Sequence, residues 1–215
     1  MPEAAWMREA MAEALALAQR GRGSVEPNPR VGAVALQDGS VVGRGFHGFY
    51  GGPHAEVAAL ADAAAAGANP DTLVVTLEPC SSQPGAAGKK PPPCAEAIVR
   101  AGIRRVVLGA VDPDPRHQGR AISLLRDQGI EVHSGVLAAE CDALNRPFAH
   151  WLQMDVPWVI AKWAMSLDGK TGTRSGDSKW ISGEASRTRV HVVRGQVDGV
   201  MVGLQTAVMD DPELT

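Results

Sequence analysis

Thr72-Leu73-Val74-Val75-Thr76-Leu77-Glu78-Pro79-Cys80 is a strand-forming run that ends abruptly in a carboxylate, a proline and a cysteine. What surrounds it decides the fold. Upstream, residues 54–66 are alanine-rich and helical, closed by Gly67. Downstream, helical patterns at 94–100 and 122–128 alternate with strand patterns at 105–111 and 130–136. Strands that alternate with helices predict a largely parallel sheet covered on both faces. Residues 31–36 and 41–46 are two further apolar runs, joined by the turn Gln37-Asp38-Gly39-Ser40, and predict an antiparallel hairpin on the same sheet. The expected class is therefore α/β: a three-layer α/β/α sandwich with a mixed sheet.

An amphipathic helix opens the chain, with Trp6, Met7, Met11, Leu15 and Leu17 near helical spacing and Gly21 as its stop. Residues 138–152 predict an exit helix that Pro147 kinks or ends. A boundary is placed there, giving domains 1–153 and 154–215. The second segment reads as a strand at 158–165, a polar loop at 168–179, a helix at 185–194 and a strand at 200–204. Alone it is too short for a self-sufficient core and would present unpaired strand edges, so either further sequence or a partner is expected to complete it.

Composition narrows the function classes. The 215 residues are 45% hydrophobic and 21% charged, which argues for a globular chain rather than a disordered one. A net charge of −3 without a block of like charges gives no reason to expect nucleic acid or an anionic membrane as partner; a small polar ligand is the better expectation. No apolar run approaches the roughly 20 residues of a membrane span, and the Glu-containing N-terminus does not resemble an export signal. A cytoplasmic location is expected, and a homo-oligomer stays open. Three cysteines, Cys80, Cys94 and Cys141, do not make a disulfide framework.

Chemistry concentrates in three places: Pro53-His54-Ala55-Glu56 at a helix start, Glu78-Pro79-Cys80 at a strand end, and Pro91-Pro92-Pro93-Cys94 at the next helix start. Singly, His54 can be a helix cap and the cysteines buried thiols. Together, one imidazole and two thiolates suit Zn²⁺, which in catalytic sites takes three protein ligands and keeps a fourth position for water. Zinc brings the pKa of such a water to about 7. Glu56, two residues beyond His54, is placed to collect the proton and return it to the substrate ring and the departing amine. A purely structural zinc would need a fourth ligand. Cys141 lies in the exit helix, away from the other two. H-x-E followed by Pro-Cys and a further Cys is the signature of zinc-dependent deaminases.

Asn28-Pro29-Arg30-Val31-Gly32-Ala33-Val34, Gly43-Arg44-Gly45-Phe46-His47, His54-Ala55-Glu56, Leu77-Glu78-Pro79-Cys80 and Pro92-Pro93-Cys94 closely resemble the deaminase domain of the bifunctional riboflavin-biosynthesis deaminase/reductases. Residues 162–170, Trp180-Ile181-Ser182 and Asp210-Asp211-Pro212-Glu213-Leu214-Thr215 resemble the opening of that family's reductase domain. The resemblance implies a cytidine-deaminase-like sandwich followed by the incomplete start of a dihydrofolate-reductase-like domain. It also implies loss of the 2-amino group, as ammonia, from a diamino-hydroxy-pyrimidine that carries a ribosylamino 5′-phosphate.

By the same resemblance Asn28 and His47 hold the pyrimidine, and Lys89 or Lys90 in the loop between the cysteines meets the phosphate as a mobile point charge. Asp112 and Asp114 stand in a substrate-contacting motif. In the second segment it assigns Ala164, Trp180, Thr206 and Asp210 to NADPH, and Ser178, Arg194 and Leu214 to the reductase substrate; a guanidinium such as that of Arg194 pairs bidentately with phosphate. Trp158, Trp163 and Trp180 are expected in core or cofactor packing, and Trp6 on the apolar face of the first helix. The glycine-rich nucleotide-binding region and the remaining strands would lie beyond Thr215, so reductase activity is not expected from this chain alone.

Two departures stand out. Thirteen residues separate Cys80 from Cys94, longer than the family's usual loop and without its histidine; a longer surface loop costs little closure entropy, so the metal site is expected to survive. Asp112-Pro113-Asp114-Pro115 places a carboxylate where the family usually has an asparagine amide, and near phosphate it would repel. The rival readings are a deaminase of another nucleobase, including a tRNA adenosine, and a non-catalytic, zinc-stabilised partner of a separate reductase.

Overall fold

A computed structural model describes residues 4–81, 93–115 and 117–214. The chain forms two compact units, Met1–Trp158 and Val159–Thr215. The first holds α1 (Ala5–Ala18), a 3-10 turn (Gln19–Gly21), β1 (Gly32–Gln37), β2 (Ser40–Phe46), α2 (Ala55–Ala65), β3 (Thr72–Leu77), α3 (Cys94–Arg100), β4 (Arg105–Ala110), α4 (Arg120–Asp127), β5 (Glu131–Ser134), α5 (Ala138–Leu144) and α6 (Arg146–Met154). The second holds α7 (Glu184–Arg194) and α8 (Leu204–Asp210).

The five strands run in the order β2-β1-β3-β4-β5. β1 is antiparallel to both β2 and β3, with Gly32 opposite Phe46 and Ala33 opposite Val75, whereas β3, β4 and β5 are parallel. The sheet is mixed, as expected of the cytidine-deaminase-like sandwich.

Period-two alternation sorts the strand residues between two cores. Ala33, Ala35, Leu73, Val75, Val106 and Leu108 face α2, α3 and α4 through Ala59, Ile98 and Leu125. Their neighbours Val34, Leu36, Val74 and Val107 face the other way, toward Met7, Ala10, Met11 and Ala14 of α1. Each fully buried Val or Leu contributes about 1.5–3 kcal/mol, so a one-residue slip in register would exchange one core for the other and is strongly disfavoured. Trp6 packs at the edge of the α1 core, as its helical spacing implies.

Helix α2 lies unusually close to β2. A Cβ on Gly45 would stand 2.3 Å from both the Ala55 carbonyl oxygen and the Ala59 nitrogen, and one on Gly43 would stand 2.3 Å from the Ala59 carbonyl oxygen. Glycine on the strand and alanine on the helix are what allow this contact.

Three expectations are corrected. The exit helix breaks at Asn145 (φ −111°, ψ 19°) rather than at Pro147, which sits in the first turn of α6, where its missing N–H has no intrahelical partner to lose. No strand forms among residues 159–214: the segments expected as strands at 158–165 and 200–204 are not assigned to any strand, and Leu204 opens α8. An apolar run becomes a strand only when a neighbour completes its ladder, and none does among these residues. Trp163 and Trp180 are accordingly exposed, at 61% and 72%, rather than packed in a core, and Trp158 is 41% exposed.

Candidate active site

The ends of β3, α2 and α3 gather the chemistry. His54 takes the N-cap position of α2 in extended conformation, yet its side chain makes no capping hydrogen bond. Instead its Nδ1 lies 3.1 Å from Cys94 Sγ and 3.7 Å from Cys80 Sγ. Cys80 follows β3 by three residues and Cys94 opens α3. The three donor atoms lie within 4.8 Å of one another. Tetrahedral zinc with ordinary Zn–N and Zn–S bonds separates its ligand atoms by about 3.6–3.8 Å; the donor set fits that ion in element type and number, with the Cys80 sulfur at that separation from Nδ1 and the Cys94 sulfur closer, at 3.1 Å.

The sulfurs' electrostatics agree. Hydrogen bonding from the Cys94 thiol, and then from the His54 ring and the Cys94 N–H at 3.3 Å, holds Cys80 down to about 3 against its burial. The same sulfur pairing, reinforced by burial, pushes Cys94 well up. Two sulfurs at this distance do not readily both ionise without a cation between them; a divalent metal is the group that makes two thiolates of them. Cys141 takes no part. It is buried against Gly109, where an added Cβ would stand 2.2 Å from its sulfur, and burial pushes its thiol up to about 12.

Glu56 sits in the first turn of α2 and is only 3% exposed. Burial raises its carboxyl above the ordinary range, with the His54 charge opposing. A carboxyl lifted in this way takes and returns protons nearer neutral pH. Beside it, His47 is buried with its ring 5.4 Å from that of His54. Nδ1 of His47 lies 2.9 Å from the Pro53 carbonyl and must donate there. In the neutral ring Nε2 is then the acceptor for the Asn28 amide at 3.1 Å. Burial lowers the His47 pKa and so favours that neutral form. Asn28 and His47, assigned to one role by resemblance, are thus hydrogen-bonded to each other.

The motif at 112–115 carries hydrogen bonds within its loop. Asp112 Oδ1 accepts the Asp114 N–H at 2.9 Å, and burial raises the Asp112 carboxyl. Asp114 is buried, with His117 Nε2 4.0 Å from its carboxylate. Lys89 and Lys90 lie outside the described residues.

Two residues emerge that sequence reasoning missed. Glu78 is buried and its carboxylate accepts three backbone N–H groups, from Asp112 at 3.2 Å, Gly119 at 2.9 Å and Ala121 at 3.0 Å. It ties the Cys80 end of β3 to the start of α4. A charged side chain directly after a strand of Leu, Val and Thr was the available signal, since a buried carboxylate needs donors. The second is Asn145, whose amide holds the backbone of Arg30; its only trace in the sequence is the interruption of a helical pattern.

In the second unit Arg194 ends α7 and its guanidinium donates to the carbonyl of Glu213, the neighbour of Leu214. Trp180 lies under Arg187, 4.6 Å from guanidinium to ring centre. Thr206 and Asp210 are exposed on α8, Ala164 belongs to no helix or strand and Ser178 lies in the polar loop. Among the described residues no hydrogen bond or ring contact joins Ala164, Trp180, Thr206 and Asp210.

Residues 4–110 match the family described as the cytidine and deoxycytidylate deaminase zinc-binding region, and residues 157–215 match the RibD C-terminal domain. The riboflavin biosynthesis protein RibD of Aquifex aeolicus is 45% identical over 204 residues, which cover 94% of this chain and 55% of the relative. That of Escherichia coli is 42% identical over 207 residues, covering 95% and 54%. The crystal structure of a diaminohydroxyphosphoribosylaminopyrimidine deaminase/5-amino-6-(5-phosphoribosylamino)uracil reductase from Thermotoga maritima superimposes with a TM-score of 0.91 at 41% identity, covering 98% of this chain and 59% of that one. The chain belongs to the RibD family. It spans about half the length of the curated RibD relatives it matches. Its zinc-binding deaminase region contains the His54, Cys80 and Cys94 group, while residues 111–156 fall between the two matched regions. Among the described residues no helix is long and apolar enough to cross a membrane.

Proposed function

We propose that residues 1–153 form a zinc-dependent deaminase that converts 2,5-diamino-6-(5-phosphoribosylamino)pyrimidin-4(3H)-one and water to 5-amino-6-(5-phosphoribosylamino)uracil and ammonia. The observation that carries this reading is the single cluster of His54, Cys80 and Cys94 with the buried carboxyl of Glu56 on the same helix turn. His54 Nδ1, Cys80 Sγ and Cys94 Sγ would hold the metal. When bound, zinc supplies a Lewis acid that makes a nucleophile of water near neutral pH.

Glu56 would take one proton from the water that adds to C2 and give it to the ring nitrogen, then carry the second from the new hydroxyl to the 2-amino group, so that the C–O bond forms first and the C–N bond breaks as ammonia leaves. Neutral His47 and Asn28 orient the pyrimidine; with its N–H engaged by His47, Asn28 offers its carbonyl oxygen to a ring or exocyclic N–H. Asp112 and Asp114 shape the neighbouring wall, and Lys89 or Lys90 meets the phosphate.

Residues 154–215 supply part of a reductase domain, with Ala164, Trp180, Thr206 and Asp210 toward NADPH and Ser178, Arg194 and Leu214 toward substrate once the rest of such a domain is present. The partner of the first domain is a small phosphoribosylated pyrimidine in the cytoplasm, neither a nucleic acid nor a membrane.

The test is ammonia release by zinc-loaded protein. Turnover of the phosphoribosylated pyrimidine supports the reading. Turnover of free guanine or cytosine alone moves it to another deaminase, and silence on all of them leaves a zinc-stabilised binding module.

A further inference from the structure

Asn145 stands at the break between α5 and α6, 6% exposed. Its Oδ1 accepts the N–H of Arg30 at 2.8 Å and its Nδ2 donates to the carbonyl of the same residue at 2.8 Å. This pair copies one rung of a strand ladder. Arg30 precedes β1, so the ladder from β2 does not reach its amide and carbonyl, and only a side-chain amide can both accept and donate there. The Arg30 guanidinium adds a bond to the Leu144 carbonyl, on the same helix end. On either side of this anchored residue lie two groups that hold His47: Asn28, whose amide donates to the ring Nε2, and Val31, whose carbonyl accepts the His47 backbone N–H at 2.9 Å.

We propose that Asn145 is a positioning residue for the base pocket, fixing segment 28–31 and through it the Asn28–His47 pair. The assignment rests on the deaminase reading for its kinetic consequence, but not for its structural one. An aspartate at 145 keeps the acceptor, loses the donor and sets a negative charge against the Arg30 carbonyl. A glutamine keeps both halves of the amide on an arm one methylene longer. Neither variant touches His54, Cys80, Cys94 or Glu56.

The experiment uses the full zinc-loaded chain labelled with ¹⁵N-histidine, the His47 ring signals being assigned from their loss in His47→Gln. Asn145→Asp should displace the His47 Nε2 and Nδ1 resonances, and Asn145→Gln should do so less, with stoichiometric zinc in both. Where the wild type releases ammonia, Asn145→Asp should raise KM about tenfold, the equivalent of one lost buried hydrogen bond, and change kcat much less. Leu73→Ala, at the far end of β3 from Cys80, is the control for general loss of stability. His47 signals and KM that stay at wild-type values in a folded Asn145 variant, or that move as much in Leu73→Ala, would overturn the proposal. A wild type that releases no ammonia counts against the deaminase reading alone and leaves the His47 signals to decide this one.

Discussion

The two units of this chain carry comparable apolar patterns and treat them in opposite ways. In residues 72–77 every position is buried, because β1 and β4 complete the ladder on either side and helices cover both faces. In residues 158–165 a run of similar character forms no strand and is largely exposed, and Met201, Leu204, Val208 and Met209 further on are exposed as well. Hydrophobicity is common to both regions; what differs is the presence of neighbours. A strand is a property of a pair, and apolar surface stabilises a fold only when something else removes it from water.

The largest effect that can test this contrast lies in the site of the first unit. Glu56→Gln should keep stoichiometric zinc and lose ammonia release by about 10²–10⁴-fold, the usual weight of a positioned proton carrier; a fully active variant would remove Glu56 from the mechanism. Next, Leu108→Ala should lower unfolding free energy by about 2–5 kcal/mol in a denaturant titration, since the cavity lies in a closed core. Met209→Ala, on exposed α8, should stay within about 0.5 kcal/mol of wild type. Equal costs at the two positions would mean that the units are equally packed. Hydrogen exchange reads the same difference without mutation: backbone amides of β3 and β4 should exchange slowly and those of 158–165 and 199–203 quickly.

A further test, outside the neutral range, concerns pH. The Cys141 thiol is raised to about 12 in the folded chain, above its ordinary value of 9.0. Between those values the unfolded chain has released a proton that the native chain retains. Stability should therefore fall as pH rises from about 9 toward 12. Cys141→Ala should flatten that alkaline limb, and an unchanged limb would show that Cys141 is not its source.

Most of the first unit was legible because its signals are local. Alternation, turn residues and glycine stops sit within a few positions of the elements they define, and the His-x-Glu and Pro-Cys pairs mark helix and strand ends directly. What escaped is what local pattern cannot encode. Asn145 acts on a residue 115 positions away and Glu78 on residues 34 to 43 positions away; each satisfies distant backbone groups, and neither need appears in a window of sequence. Sequence alone points to Pro147 for the break at 145 because proline is the commoner breaker, although in the first turn of a helix it is well tolerated. The second-unit strands failed for the reason set out above: periodicity reports which face is apolar, and partners decide whether that face is used.

The glycines of β2 bear on how the site behaves as a whole. The strand that leads to His47 and the helix that begins at His54 touch backbone to backbone at Gly45, with no side chain between them to yield. His47 and His54 are thereby carried on two backbones that are in direct contact. A single methyl group grafted there would meet two main-chain atoms of the helix at 2.3 Å, so the elements that bear the two histidines would have to move apart.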